Sequence, residues 1–451
     1  MVRPGEILRG FSRIRRTAAL YGTAHPVTRQ TLGEVHGTIQ DFLTDRHSVR
    51  FFVHEETFFA GRTVLLEESL RLPSLLADLR EREIGMVELQ EGLEPAELSR
   101  LVDVLIASPE ELRRQGGAAA VLSMQDVRHV RIGTVRALSS DEESELRVDP
   151  RDVYRAGLRM IDDLHFQAAR ELPLDMKKAS LVVSSMIEVM ADDNAALQGL
   201  AVLKHYDESA LHHSVNVTIL ALMIGVQSRM ERPQLMTLGL GALLHDIGKV
   251  RIPREILTKP ARLTDDELVI VRRHTLYGAH LLRNLAGPSR LAMIVAFEHH
   301  ANFNLSGYPR IIMKSVPHPL SRIVQVAEFY DAATHSRRAD HRPMLPAEAM
   351  AFVASRAGEI FDPDAAHIFV RAVGRYPVGS VVELDSGELA VVLRPSERDP
   401  SRPVVKVVQD RSGDAVPPRT VSLDESGRLR IVRSLDPTAT SVDVAAHLPS
   451  S

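Results

Sequence analysis

The stretch Leu238–Val250, LGLGALLHDIGKV, decides how this chain is read. The mostly apolar run from Leu235 to Leu244 reads as a buried helix, and Gly248 is expected to supply its stop. His245 and Asp246 then stand at the end of that helix. Two adjacent polar groups there need partners, because burying them unpaired is costly. Taken alone, the pair fits a hydrogen-bonded His–Asp couple or a helix-end device as well as a ligand site.

Working outward, the same arrangement recurs. His212-His213 lies upstream in ESALHHSVNVTILALMIG (208–225), and His274 downstream in VRRHTLYGAHLL (271–282). His299-His300 closes the apolar run LAMIVAFEHH (291–300). Glu328 and Asp331 sit in RIVQVAEFYDAAT (322–334), three apart and so on one helical face. Polar side chains set repeatedly on core-facing helices are the way a metal site is built inside a bundle. Imidazole plus carboxylate without sulfur suits iron, manganese, nickel or zinc. Six or seven candidate ligands exceed the needs of one ion and point to two. A pair of metals is a standard device for phosphoester hydrolysis.

The whole-chain arithmetic excludes other classes. Lys and Arg number 55 against 59 Asp and Glu, a net charge of −4, so affinity for a nucleic-acid backbone is not expected and no DNA partner is assigned. With no cysteine among 451 residues there is no disulfide, no thiolate metal site and no cysteine nucleophile. The amino terminus lacks the apolar core of a secretory signal, and Ile219–Val226 is far too short to span a bilayer. A cytoplasmic protein without a membrane partner is expected.

The length predicts several domains. Residues 1–136 read as an α/β sensory or docking module, a route to a protein partner or to self-association. A helical pattern runs from Ile7 to Leu43, a β-rich stretch follows at 48–66, and a helix is expected around Leu70 to Glu83. Residues 137–152 read as an acidic linker and 153–375 as all-α. Residues 376–436 form a small antiparallel β unit, with a hairpin turn at Asp385-Ser386-Gly387, and 437–451 a flexible tail.

The helical middle resembles the HD-GYP subgroup of the HD-superfamily metal-dependent phosphohydrolases. The matching pieces are HHSVNV (212–217), HDIGKVRIPREIL (245–257), HTLYGAHLL (274–282), EHHANFNLSGYPR (298–310) and AEFYDAATHSR (327–337). The resemblance implies an all-helical catalytic domain that hydrolyses cyclic di-GMP, to the linear dinucleotide or GMP, at two divalent metals, commonly iron or manganese. Carried over by position, it makes His213, His245, Asp246, His274, His299 and His300 ligands, with Asp246 bridging. Glu328 stands where the family has an aspartate ligand. Lys249 would protonate the leaving oxygen or neutralise phosphate, and Asp331 would hold Lys249 or the attacking water. Gly307, Tyr308 and Pro309 would form the substrate loop, with Tyr308 free to stack on a guanine, and Arg337 would face the substrate.

The chain departs from the family pattern at Ala301, Asn304, Leu305, Glu328 and the stretch SRRADHRP (336–343). The favoured reading is a cyclic di-GMP phosphodiesterase. Its rivals are an inactive cyclic-di-GMP-binding effector and a phosphohydrolase of another nucleotide. His25 and His318, each before a proline, read as turn or helix-start residues, His212 as a surface residue or one supporting the ligands, and His280 as structural.

Overall fold

A computed structural model describes residues 2–54, 56–134, 147–192, 197, 199–200, 210–285, 290–311, 316–335, 343–396, 398–427 and 429–448. The chain divides into two compact units, Met1–Ala156 and Gly157–Ser451. Among the described residues no helix is long and apolar enough to cross a membrane.

The first unit is built on a six-stranded sheet of order β5-β4-β1-β2-β3-β6. The strands are β1 Ser48–His54, β2 Thr57–Ala60, β3 Thr63–Leu65, β4 Met86–Gln90, β5 Val130–Gly133 and β6 Arg147–Val148. All pairings are antiparallel except β3–β6. Alternation along β1 turns Val49, Phe51 and Val53 into a core shared with Phe11, Ile39, Phe58 and Leu101. The single helical pattern expected from Ile7 to Leu43 is two helices, Pro4–Tyr21 and Pro26–Leu43. His25 caps the second by accepting a hydrogen bond from the Val27 N–H, and Pro26 needs no intrahelical donor at that position. The helix expected from Leu70 to Glu83 is likewise split, into Leu66–Arg71 and Pro73–Glu81, because a residue before proline avoids helical geometry.

The supposed linker 137–152 is partly structured. Its acidic run lies outside the described residues. Arg147 and Val148 pair with Thr63 and Val64, and Pro150 begins a helix that runs to Ala169. Arg155 on that helix pairs with Asp152 and with Glu67, which gives these charged residues partners that a free linker lacks.

Glu97 ties the helix Pro95–Ile106 to β5. Its carboxylate accepts from the backbone N–H groups of Glu94, Arg128 and His129 and from the His129 ring. Burial would raise its pKa, but these donors outweigh burial and hold it at about 2. A depressed carboxyl contributes stability that is complete above its unfolded value of about 4.5 and is lost as pH falls toward 2. Glu97→Gln is therefore expected to cost about 1–3 kcal/mol at pH 7. Urea midpoints of the two proteins should converge as pH drops from 4.5 to 2, and a gap that ignores pH would contradict this account.

In the second unit, apolar helices pack around Arg232–Leu244, which is buried from Leu235 to Leu244 apart from a half-buried Met236. Its neighbours are Met176–Asp192, Ala210–Gln227, Leu291–Glu298 and Pro319–Thr334. Behind them comes a five-stranded antiparallel sheet of order β10-β9-β8-β7-β11, formed by β7 Val381–Leu384, β8 Leu389–Arg394, β9 Val404–Gln409, β10 Ala415–Ser422 and β11 Ile431–Leu435. The predicted hairpin turn joins β7 to β8. The α/β, all-α and β regions follow the order read from the sequence. The segment from 437 is not a loose tail over its described part. Val442 and Leu448 are buried against Val378, Val381, Val391 and Val408, and Val444–His447 is helical.

Candidate metal centre

Six of the predicted ligands collect into two groups of three. In each group the potential ligand atoms lie within 4.8 Å of one another: His213, His245 and Asp246 in one, His274, His299 and His300 in the other. They come from four helices: His213 from Ala210–Gln227, His245 and Asp246 from just after Arg232–Leu244, His274 from the start of His274–Leu282, and His299 and His300 from just after Leu291–Glu298, so the helical packing itself brings them together.

Asp246 sits between the groups. Its Oδ2 lies 3.6 Å from His213 Nε2 and 3.5 Å from His245 Nε2. Its Oδ1 lies 3.3 Å from His274 Nε2 and 3.8 Å from His299 Nε2. One carboxylate oxygen thus faces each set of imidazoles.

The outward nitrogens explain why the Nε2 atoms of His213, His245, His274 and His299 turn inward. The last carbonyls of a helix have no intrahelical donor. His245 Nδ1 donates to Ala242 O at 2.7 Å, His274 Nδ1 to Val271 O at 2.7 Å and His299 Nδ1 to Ala296 O at 3.0 Å. All three take the carbonyl three residues back, near the end of a helix. His213 Nδ1 donates instead to Asp331 Oδ2 at 2.6 Å. With a proton on Nδ1 serving these acceptors, the ring turns its other nitrogen, Nε2, toward the site. Burial also lowers His274 to about 4 and puts His299 and His300 well below the usual imidazole range.

This arrangement is unfavourable without a cation. His274 Nε2 and His299 Nε2 face each other at 3.1 Å, lone pair to lone pair. His245 Nε2 and Asp246 Oδ1 are buried without a hydrogen-bond partner. Two donors held about 2.1 Å from a shared ion are about 3.0–3.4 Å apart at octahedral or tetrahedral angles. The observed separations sit at or slightly above that spacing, so the residues fit a divalent metal. Burial would raise Asp246, yet Lys249 and the surrounding histidines hold it well below the usual carboxylate range, ready as an anionic ligand.

The remaining predicted residues divide. Glu328 joins neither group of three. It lies on Pro319–Thr334 within electrostatic reach of His245 and Asp246, and burial pushes its carboxyl up to about 7. Lys249 forms an ion pair with Asp246 Oδ2. Asp331 does not hold Lys249: one oxygen takes His213, the other accepts from Asn216 Nδ2 at 2.9 Å, and His335 lies 3.2 Å away. It is therefore placed to orient His213. Asp331→Asn is expected to weaken metal affinity about 10–100-fold with the fold intact. Manganese titration checks this, and unchanged affinity would mean that His213 is oriented by something else.

Gly307 has φ of +93°, and a Cβ there would lie 2.5 Å from His300 O. That close approach lets the Tyr308 N–H bond His300 O at 3.2 Å. Tyr308 is not a free stacking platform. Its ring already stacks on His300, with centroids 4.5 Å apart and planes at 28°, because the loop is pinned back on that histidine. Pro309 follows, half-buried. Arg337 lies outside the described residues. Gly248 does not act as a helix stop. The helix ends at Leu244, and Gly248 lies in a 3-10 turn, Ile247–Arg251, pressed against His274–Leu282.

Three polar residues went unread in the sequence. Asn216 and His335 hold Asp331. His165, on the helix Pro150–Ala169, has a buried Nε2 without a partner and lies within electrostatic reach of Asp246, Lys249 and His245. Its signal was a lone imidazole between the buried Leu164 and Ala168. His25 and His318 are helix caps, as their X-Pro positions suggested.

Comparison with known proteins agrees with this architecture. Residues 185–365 match the HD domain family and residues 381–442 a KOW domain associated with HD domain. The chain is 37% identical over 265 residues to a cyclic di-GMP phosphodiesterase of Pseudomonas aeruginosa, covering 58% of this chain and 64% of that one. It is 34% identical over 178 residues to a cyclic di-GMP phosphodiesterase of Thermotoga maritima, covering 39% and 48%. It is 29% identical over 185 residues to the cyclic di-GMP phosphodiesterase response regulator RpfG of Xanthomonas campestris, covering 40% and 48%. The chain thus spans between about half and just under two-thirds of the length of these relatives. The helical middle of this chain is thus similar to HD domains over residues 185–365, and the β region after it to the KOW domain associated with them over residues 381–442.

Proposed function

We propose that this protein is a metal-dependent phosphodiesterase that hydrolyses cyclic di-GMP to the linear dinucleotide or GMP. The observation that carries the reading is Asp246, whose two oxygens face two separate sets of inward-turned imidazoles. Two divalent ions, iron or manganese, would find ligands here: His213 and His245 would hold one, His274, His299 and His300 the other, and Asp246 would contribute to both. Glu328 is the further carboxylate available to them. When bound, the ions supply Lewis acidity and lower the pKa of water enough to make it a nucleophile at neutral pH.

The chain's own groups do the rest. Asp331 fixes the tautomer of His213, and helix-end carbonyls fix those of His245, His274 and His299, so these rings need little reorganisation when a phosphate arrives. Lys249 places a cation beside Asp246, where it balances phosphate charge and can pass its Nζ proton to the leaving alkoxide. The loop Gly307, Tyr308 and Pro309 packs on His300 and holds that ring in place, and Arg337 is assigned to the substrate. A cytoplasmic location goes with a nucleotide substrate. The first unit is assigned the role of sensor or docking module for a protein partner or a second copy.

The relatives named as cyclic di-GMP phosphodiesterases support this choice of substrate. The test is purified protein loaded with manganese or iron(II), incubated with cyclic di-GMP and resolved by chromatography. Linear product that vanishes with a chelator is the expected result. Tight binding without product would replace the enzyme with a signalling effector, and turnover of a different nucleotide alone would displace the substrate.

A further inference from the structure

We propose that Arg272 is a specificity-determining residue of this site, its guanidinium binding the phosphodiester of the cyclic dinucleotide that is not being cleaved. The inference rests on the functional reading above and names a recognition group for it.

Arg272 ends the helix Asp265–Arg272, two residues before His274. Its guanidinium carbon lies 5.2 Å from the centroid of the Tyr308 ring. Tyr308 stacks on His300 and meets the His274 ring edge-on, with centroids 6.2 Å apart. The Tyr308 backbone is tied to His300 O. The perch of Arg272 is therefore rigid and built directly on two of the six imidazole and carboxylate groups. The two centroid distances put the guanidinium no more than about 10 Å from the His300 ring.

Its charge is the second observation. Several cations of this unit already have carboxylate partners: Lys249 with Asp246, Arg251 with Glu171, Lys259 with Glu267 and Arg322 with Asp362. Arg272 is exposed and, among the described residues, has no carboxylate within ion-pair distance. An aromatic face holds it instead, through a cation–π contact. An arginine held this way keeps its planar fork of N–H donors for a ligand, and that fork matches phosphate oxygens in pairs.

The substrate class supplies the need. A cyclic dinucleotide carries two phosphodiesters across one macrocycle. When one lies against the metal ligands and Lys249, the other brings a second negative charge to the same face of the protein. A fixed guanidinium beside the His300 group meets that charge with little ordering cost.

The experiment is equilibrium titration of the metal-loaded full chain with a phosphorothioate analogue of cyclic di-GMP that resists hydrolysis. Arg272→Ala is expected to weaken binding about tenfold or more. Arg272→Lys should recover only part of the loss, since an ammonium keeps the charge but not the fork. Manganese content and thermal midpoint should stay at wild-type values in both variants. Equal affinity of wild type and Arg272→Ala would overturn this inference alone. So would a fall in manganese content alongside weaker binding, because Arg272 would then act only by holding the Tyr308–His300 stack. A wild-type protein that binds no cyclic dinucleotide would overturn the inference together with the functional reading beneath it.

Discussion

Asp246→Ala is expected to strip the protein of bound metal and to lower phosphodiesterase turnover at least about a hundredfold, the scale on which single preorganised charged groups count. Both oxygens of Asp246 are committed, one to each set of imidazoles. Losing the carboxylate removes the group that faces both sets and leaves each with imidazole nitrogens alone. The fold should survive, because the helices around Asp246 are held by apolar packing. Metal that binds the native state and not the unfolded chain stabilises by about 4 kcal/mol at a thousandfold excess over Kd. Wild type should therefore gain thermal stability when manganese is added, and Asp246→Ala should not. Metal analysis and melting with and without manganese check this. Full wild-type metal content in the variant would rule out the bridging role.

Gly248→Ala is expected to damage stability and metal binding together. A Cβ at 248 would lie 2.0 Å from His274 O and 2.4 Å from Gly278 N. Both are backbone atoms of the neighbouring helix and cannot rotate aside. The 3-10 turn must then back away from His274–Leu282 by roughly an ångström to reach ordinary contact distance. Overpacking of this kind costs about 1–3 kcal/mol and sometimes more. For a unit of this size that is a fall in melting midpoint of about 2–5 °C. The displacement also matters chemically, since Asp246 stands two residues before Gly248 and His274 begins the helix it would push against. Their 3.3 Å approach should open, and manganese affinity should drop at least about tenfold. Gly37→Ala is the control. Gly37 is exposed in the helix Pro26–Leu43 with open space around its missing Cβ, so alanine there should stabilise by about 0.5–1 kcal/mol. A Gly248→Ala protein that melts and binds manganese like wild type would contradict the close approach.

Much of the centre was legible because its chemistry clashes with its surroundings. Histidines and an aspartate at the ends of apolar helices stand out in a one-dimensional reading, since burial without a partner is costly. His212-His213, His245-Asp246, His274 and His299-His300 were noticed this way, and the resemblance to a known family then singled out the expected ligands among them. In the first unit the β-rich stretch 48–66 stood out by composition, while Arg147–Val148 did not. What stayed hidden depended on partners distant along the chain. Asp331 meets His213 across 118 positions, so its pairing with a histidine and not with Lys249 had no local signature. His165 lies on a helix that carries no other recognised ligand. Gly248 looked like a helix stop because its neighbour, the backbone of His274 and Gly278, cannot be read from position 248. Arg147, Val148, Val442 and Leu448 sat in stretches polar enough to suggest linker and tail, yet each has a partner elsewhere in its own unit.

The sequence by itself determined which kinds of atoms this protein places in its interior, because residue type and apolar periodicity are local properties of the chain. Only the tertiary structure decided which nitrogen of each imidazole faces inward, which oxygen of Asp246 serves which group, and which cation lies on Tyr308. Those are matters of distance and direction between helices far apart in sequence, and a metal centre works through distance and direction.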